Sequence, residues 1–226
     1  MMIAIMQPTY LPWVGYFDLI RSVDAFVFLD DVPMAQQRPN WQKENRILVD
    51  GQPRWLRLPT LRPRGDATLI NQMTIKKTDW ALQHCALLAQ GYEYADGYAR
   101  YAGEFEQLVK KNSENLCALN ISLICWMMGA FGLNTKTVLS SDLPVSTARK
   151  DAKIIEICKS LGAQKYFSPS GAKDYCKEES FEREGLELIF QNYTPKQYPQ
   201  AGADFVSHMS AIDLIFRHPL TCGNYL

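Results

Sequence analysis

Two short segments near the N-terminus constrain this chain more than anything else in it. Ile3-Ala4-Ile5-Met6 and Ala25-Phe26-Val27-Phe28-Leu29 are apolar at every position. A strand with one wet face alternates apolar and polar side chains, whereas a strand covered on both faces does not. Both segments therefore predict strands covered on both faces, as in a parallel sheet. Between them, Tyr16 to Val23 has apolar residues at Phe17, Ile20 and Val23, a helical spacing. Strand, loop, helix and strand in this order make a βαβ unit.

The middle of the chain changes character. Ile47-Leu48-Val49 and Trp55-Leu56-Arg57-Leu58 flank Asp50-Gly51, a hairpin signal within Arg46 to Pro59, and Gln52-Pro53 is expected to lengthen the turn. Met73-Thr74-Ile75 reads as another short strand. From Asp79 the spacing turns helical. Asp79 is the expected N-cap of a helix from Trp80 to Ala89, followed by helices from Gly97 to Lys111 and Glu114 to Ala130. Strands are then expected at Thr135 to Leu139, Lys165 to Phe167 and Leu186 to Phe190. Helices alternate with them: Ala148 to Leu161, capped by Ser146-Thr147 and stopped at Gly162, then Ala172 to Cys176 and Ser210 to Phe216. This order predicts an α/β fold with a mostly parallel, Rossmann-like sheet of βαβ units. A β-hairpin (about 40–77) and a helical section (about 79–133) are inserted in it, and residues 1–226 form a single domain.

Charge narrows the function. With 24 Lys+Arg against 24 Asp+Glu the formal net charge is zero, which argues against gripping duplex nucleic acid as the main task. The longest apolar run, Leu116 to Leu133, is broken by Asn120, Ser122, Gly129 and Gly132, so no membrane span is expected. The N-terminus has no charged leader before an apolar stretch, and no signal peptide is expected. Six cysteines without a C-x-x-C pair suggest neither zinc nor disulfides; buried, inert thiols in a reducing cytoplasm fit them. The three histidines have no metal-ligand spacing, so no metal site is expected. Oligomeric state is not legible.

In open parallel sheets ligands bind beyond the carboxyl ends of the strands. Three segments fall there. In Gln7 to Tyr16, prolines stiffen the loop and Gly15 permits close backbone approach. Gln7, Tyr10, Trp13 and Tyr16 can hydrogen-bond or stack a ligand there, or the aromatics simply cap the sheet. Asp30-Asp31 ends the second strand; a carboxylate here can orient a hydroxyl, act as general base or hold a metal, or serve a turn or cap. Successive side chains in a strand point to opposite faces, so one of the two is expected to enter the cleft. Ser168, Ser170 and Gly171 lie between a strand and a helix, where hydroxyls and amides can receive a phosphate or sugar hydroxyl, or end the strand locally.

Residues 36 to 77 carry nine basic residues (Arg38, Lys43, Arg46, Arg54, Arg57, Arg62, Arg64, Lys76, Lys77) against three acidic ones (Glu44, Asp50, Asp66). Lys43, Asn45 and Arg46 follow Trp41 closely. A diphosphate, a nucleotide or a single RNA strand suits such a surface, as does a plain solvated hairpin face. His84 lies one turn from Trp80 and is the natural proton shuttle near neutral pH; His208 and His218 rank below it. Asp213 sits among Ile212, Leu214, Ile215 and Phe216, with Tyr198, Gln200 and Ser210 as nearby polar residues, so burying it requires a partner. No nucleophile elbow, P-loop or dinucleotide-binding glycine motif is present.

The run Ile5-Met6-Gln7-Pro8-Thr9-Tyr10-Leu11-Pro12-Trp13-Val14-Gly15-Tyr16-Phe17 closely resembles the opening signature of the WbqC-like family. The likeness continues through Phe28-Leu29-Asp30-Asp31-Val32, Asn45-Arg46-Ile47-Leu48, Trp80 with His84, Leu161-Gly162-Ala163 with Tyr166 and Ser168, and Ser210-Ala211-Ile212-Asp213-Leu214. The resemblance implies a bacterial O-antigen (lipopolysaccharide) or other surface-polysaccharide pathway, and so work on activated sugars. The expectation is a cytoplasmic transferase that moves an acyl or aminoacyl group to the amine of a nucleotide-linked amino sugar, its donor an acyl thioester, an aminoacyl-tRNA or a free acid with ATP. Arg46 and Lys43 would bind phosphate, Gln7, Tyr10 and Tyr16 would position the sugar, and His84 or Asp30 would take the proton. Trp13, Gly15, Asp31, Trp41, Asn45, Ser168, Ser170, Gly171 and Asp213 complete the expected binding set. Two alternatives stay open: a nucleotidyltransferase acting on a sugar phosphate, and a non-catalytic binding or assembly protein. The opening topology is also similar to nucleotidyltransferases of the HIGH-motif superfamily, whose signature histidines would fall near Trp13 and Tyr16 and are absent here.

Overall fold

The computed structural model describes residues 1–226 except 36–37, 62–67, 112–113, 147–148, 174–175 and 203. Its elements run β1 (Met2–Met6), α1 (Val14–Arg21), β2 (Ala25–Phe28), β3 (Glu44–Val49), β4 (Gln52–Arg57), α2 (Trp80–Tyr92), α3 (Tyr98–Lys111) and α4 (Leu116–Ala130). They continue with β5 (Lys136–Leu139), α5 (Asp151–Ser160), β6 (Lys165–Ser168), α6 (Glu178–Glu182), β7 (Glu187–Phe190) and α7 (Ile212–Arg217). The chain divides into two compact units.

The first unit comprises Met1–Gln7, Asp18–Asp31 and Asn134–Thr194. It is a five-stranded sheet in the order β5-β2-β1-β6-β7, parallel at every pairing. The α/β class with its mostly parallel sheet is thus the expected one. β1 and β2 occupy inner positions, and both their faces are covered, as their unbroken apolar runs require. Ile3, Ile5, Ala25 and Val27 point to one face and join Ile157 and Cys158 of α5 and Phe181 of α6 in one core. Ala4, Phe26 and Phe28, on the other face, are also buried. Tyr166 stacks on Phe181 with ring centroids 5.5 Å apart, fixing α6 over β6.

Three expectations about the helices shift. Helix α1 starts at Val14 rather than Tyr16. The serine of the expected Ser146-Thr147 cap spends its hydroxyl on Glu156 at 2.8 Å, and α5 begins only at Asp151, after Lys150 at φ 54°; Thr147 and Ala148 lie outside the described residues. The helix expected over Ala172 to Cys176 is a 3-10 turn at Ser170–Ala172, and Asp174 and Tyr175 are not described. The helix that forms instead is α6, whose first turn carries Glu178 and Glu179, a favourable charge at a helix N-terminus.

The second unit comprises Pro8–Phe17, Val32–Leu133 and Pro195–Leu226. Its hairpin pairs β3 with β4, antiparallel, across the two-residue turn Asp50-Gly51. Both turn residues have positive φ, 53° and 71°, as the tightest hairpin loops need. Pro53 does not lengthen the turn, because it faces Leu48, whose N–H turns away and donates to Tyr92 Oη at 3.0 Å. Met73-Thr74-Ile75 is not a strand; it makes only isolated bridges, Thr74 with Asn115 and Ile75 with Thr60.

Helix α2 extends past Ala89 because Trp80, His84, Leu88 and Tyr92 form one buried stripe down its length. Asp79 precedes it without a side-chain cap bond. The helix lies so close to β3 that a Cβ on Gly91 would come within 2.6 Å of the Leu48 carbonyl oxygen. Helix α4, capped by Asn115 Oδ1 at 2.9 Å from the Ala118 N–H, is apolar nearly all round and largely buried. No helix among the described residues is long and apolar enough to cross a membrane. Not every cysteine is buried as expected: Cys117, Cys158 and Cys222 are, Cys85 and Cys176 are half-buried, and Cys125 is exposed. Burial pushes the Cys158 thiol up to about 12, so it stays protonated.

Candidate functional site

The carboxyl edge of the parallel sheet gathers one group of expected residues in the first unit. The order of strands reverses between β1 and β6, where such sheets open a crevice. Gln7 follows β1, and Ser168, Ser170 and Gly171 end or follow β6. Ser168 is fully buried with its hydroxyl beside the Cys176 thiol, whereas Ser170 and Gly171 are exposed. Gly171 has open space around it, so its backbone conformation does not demand glycine. After β7, Gln191 donates to Asp18 Oδ2 at 2.7 Å, and Arg21 Nε donates to the other oxygen at 3.0 Å.

Asp30 and Asp31 end β2 beside the residues that follow β5. Asp30 is 3% exposed. Its Oδ1 accepts from the Ser141 N–H at 3.0 Å, and its Oδ2 accepts from Ser141 Oγ at 2.7 Å. Ser140 Oγ lies 3.0 Å from Asp30 Oδ1 and 2.5 Å from Asp31 Oδ1, and its one hydrogen serves one of them at a time. Asp31 Oδ2 pairs with the nearly buried Lys153 ammonium at 2.6 Å. Burial pushes the Asp31 carboxyl up, but the bonds from Lys153 and Ser140 and the Lys153 charge bring it below the ordinary carboxylate value. Ser140, Ser141 and Lys153 went unnoticed in the sequence. The strand-end rule applied to Asp30 also reaches Ser140-Ser141, which follow β5 directly.

A second group assembles inside the second unit, around the signature loop. Tyr10 N–H donates to the Trp41 carbonyl at 2.8 Å. Asn45 Nδ2 donates to the Leu11 carbonyl at 2.7 Å, and its Oδ1 accepts from the Arg46 N–H. Asn120, fully buried in α4, donates to the carbonyls of Pro8 and Gln42 at 3.0 and 2.7 Å. These clamps hold Leu11 at φ 44°, a conformation costly for a branched side chain. Trp13 bridges to Ser210, which bonds in turn to the Arg46 carbonyl at 2.8 Å. The Trp13 ring stacks on exposed His208 at 4.8 Å. Gly15 must be glycine because a Cβ there would lie 2.3 Å from that ring. The group that approaches Gly15 closely is therefore Trp13.

His84 is the central polar residue of this group. Tyr10 Oη lies 2.8 Å from its Nδ1. The ring also bonds the Arg57 backbone carbonyl. A carbonyl only accepts, so Nε2 carries the hydrogen and Nδ1 accepts from the Tyr10 hydroxyl. Burial lowers the His84 pKa to about 4, with the Arg57 carbonyl opposing it weakly. His84 is thus a neutral imidazole engaged at both nitrogens. Tyr10 and Tyr16 are themselves enclosed, and burial raises both phenols.

Asp213 is completely buried and fully engaged. Its Oδ2 accepts from Tyr198 Oη at 2.9 Å and Gln200 Nε2 at 3.2 Å, and its Oδ1 from Arg217 Nε at 3.0 Å. Arg217 also lies over the Tyr92 ring at 4.8 Å. The partner its burial demanded is this internal network. Of the basic insert, Arg62, Arg64 and Asp66 lie outside the described residues. Arg57 pairs with buried Glu44 at 2.9 Å, and Lys77 with Glu114 at 2.8 Å. Lys43 and Arg46 are half-buried, Arg38, Arg54 and Lys76 exposed. Among the described residues there is no group of three or more His, Cys, Asp or Glu able to hold a metal ion.

A parallel α/β sheet and a hairpin-and-helix unit in one chain, with a clamped Gln-Pro loop following β1 in sequence, define the class of protein. Within that class the chain belongs to the WbqC-like protein family, whose model matches residues 7–222. It is 28% identical over 226 residues to a protein of Mycobacterium tuberculosis (strain ATCC 25618 / H37Rv) named uncharacterized protein Rv1507c, covering 99% of this chain and 96% of that one. No solved structure matches it.

Proposed function

We propose that this protein is a transferase of a bacterial surface-polysaccharide (O-antigen) pathway, which acylates or aminoacylates the amine of a nucleotide-linked amino sugar. The family resemblance supports the pathway. The observation that carries the substrate class is the cationic hairpin of the second unit, where Arg46 and Lys43 are half-buried and suited to a carrier's phosphates. In the reaction the amine lone pair attacks the donor carbonyl carbon, a C–N bond forms, and the thiolate or the tRNA ribose oxygen leaves. The amine loses one proton, which ends on the leaving group or in solvent.

His84 and Asp30 suit positioning better than proton transfer in this reading. His84 is neutral, buried and bonded at both nitrogens, and Asp30 accepts bonds at both oxygens. The same saturation favours a second reading, a non-catalytic binding or assembly protein of the pathway. The test is mass spectrometry of nucleotide-linked amino sugars incubated with the protein and either acyl thioesters or charged tRNA. An acylated product supports transfer. Tight nucleotide-sugar binding with no product from any donor refutes it in favour of the binding protein.

A further inference from the structure

On the hairpin of the second unit, Trp41 and Trp55 stack with ring centroids 6.0 Å apart and an interplanar angle of 29°. Trp55 lies directly opposite Arg46 across the two strands, and Glu44 opposite Arg57, so all four share one face. Both guanidinium groups lie over the Trp55 ring, Arg46 at 5.6 Å and Arg57 at 5.0 Å. Arg57 is committed to Glu44. Arg46 differs: its Nε is buried and has no hydrogen-bond partner among the described residues. The half-buried Arg46 guanidinium is therefore not fully committed within the chain, and its N–H groups suit a phosphate oxygen. Trp41 is 40% exposed, whereas the other four tryptophans are buried or half-buried. An exposed, flat, electron-rich ring is costly to leave in water unless something covers it.

We propose that Trp41 is a stacking platform for a nucleobase, and that Arg46 receives the phosphate attached to it. The chemistry is that of base plus phosphate: every base has a π-face, so stacking on tryptophan tolerates any base, and arginine adds charge and cation–π attraction. The centroid spacing and tilt of the tryptophans leave no slot for a base between them, so the base lies on the outer face of Trp41. The Trp41 backbone holds Tyr10 through its carbonyl, which ties the platform to the signature loop and survives any change of the Trp41 side chain. This inference rests on the proposed function, because two nucleotide sources fit that reaction: the carrier of the sugar, or the single-stranded 3′ end of an aminoacyl-tRNA.

Binding of the full chain to UDP, ADP, a short single-stranded RNA ending in CCA, and inorganic pyrophosphate tests it, by tryptophan quenching for the small molecules and anisotropy for labelled RNA. Base-bearing ligands are expected to bind more tightly than pyrophosphate. Trp41→Ala should weaken them about tenfold, in line with the loss of one stacked base, and Trp41→Phe should restore most of that. Arg46→Gln should weaken both the base-bearing ligands and pyrophosphate. Diphosphates binding without RNA support the platform with the sugar carrier as source, and RNA binding without diphosphates supports it with the donor as source. Pyrophosphate binding as tightly as UDP, or affinity unchanged in Trp41→Ala, overturns the platform, as does binding of none of the ligands. The transferase reading fails separately, when nucleotides bind through Trp41 yet no acylated product forms.

Discussion

Acid should unfold this protein in part through one imidazole. His84 is 4% exposed, and its pKa falls from the ordinary 6.5 to about 4. In the unfolded chain it returns to its ordinary value. Between those two pH values the unfolded chain binds a proton that the native protein refuses, so stability falls as the pH falls. The contribution is fully present above pH 6.5 and is lost on the way down to pH 4. A tenfold difference in proton affinity between the folded and unfolded imidazole corresponds to about 1.4 kcal/mol, so the full loss is about 3 kcal/mol. Carboxylates titrate over the lower part of this range, so the wild-type curve alone does not isolate His84. Urea unfolding of wild type and His84→Gln at pH 7.0, 6.0, 5.0 and 4.5 does. The variant starts less stable, because glutamine fills the site of a stacked, doubly bonded ring imperfectly. The gap between the two proteins should then shrink by about 2–3 kcal/mol from pH 7.0 to 4.5. A gap that stays constant with pH, or an NMR titration of the His84 ring with its midpoint near 6.5, would refute the neutral, enclosed imidazole.

Removing the Asp213 carboxylate tests a buried charge network. Asp213→Ala removes the acceptor of the Tyr198 hydroxyl and Arg217 Nε and one acceptor of Gln200, leaves the Arg217 charge unpaired, and should cost about 3–5 kcal/mol in calorimetry or urea unfolding; a loss under about 1 kcal/mol would contradict the network. Two glycine replacements should differ in sign. Gly91→Ala drives a methyl against the Leu48 carbonyl at 2.6 Å and should destabilise by about 1–3 kcal/mol despite alanine's helix preference. Gly103→Ala in α3 has nothing within 4 Å and should stabilise by up to about 1 kcal/mol, so equal melting temperatures for the two would disprove the close α2–β3 packing.

The sheet was legible because it is written locally. β1 and β2 are apolar at nearly every position, and that alone implies two covered faces. Asp50-Gly51 likewise announces its own turn. The helix starts were harder. Asp79 and Ser146 are good capping residues by type, but Asp79 makes no cap bond and the Ser146 hydroxyl is drawn to Glu156, ten positions on, a competition no local rule detects. The candidate residues were found by type, while their occupancy came from distant partners. His84 reads as a proton shuttle until Tyr10, 74 positions away, closes its Nδ1. Asp30 reads as an open strand-end carboxylate until Ser141, 111 positions on, fills it. Asp213 alone carried its own warning, because a carboxylate inside an apolar helical run must be paired.

The inserted second unit has a consequence for synthesis. Asp30 and its partner Ser140 are 110 residues apart; β5 emerges only at the end of that interval, and β6 later still. At about 5–20 residues per second the ribosome takes roughly 5–20 s to cross it. For that time β1 and β2 are a bare pair with both outer edges unpaired, the state in which strands recruit the wrong neighbour. A nascent chain of this family therefore depends on whatever shields two apolar ribbons until the far half of the message has been read.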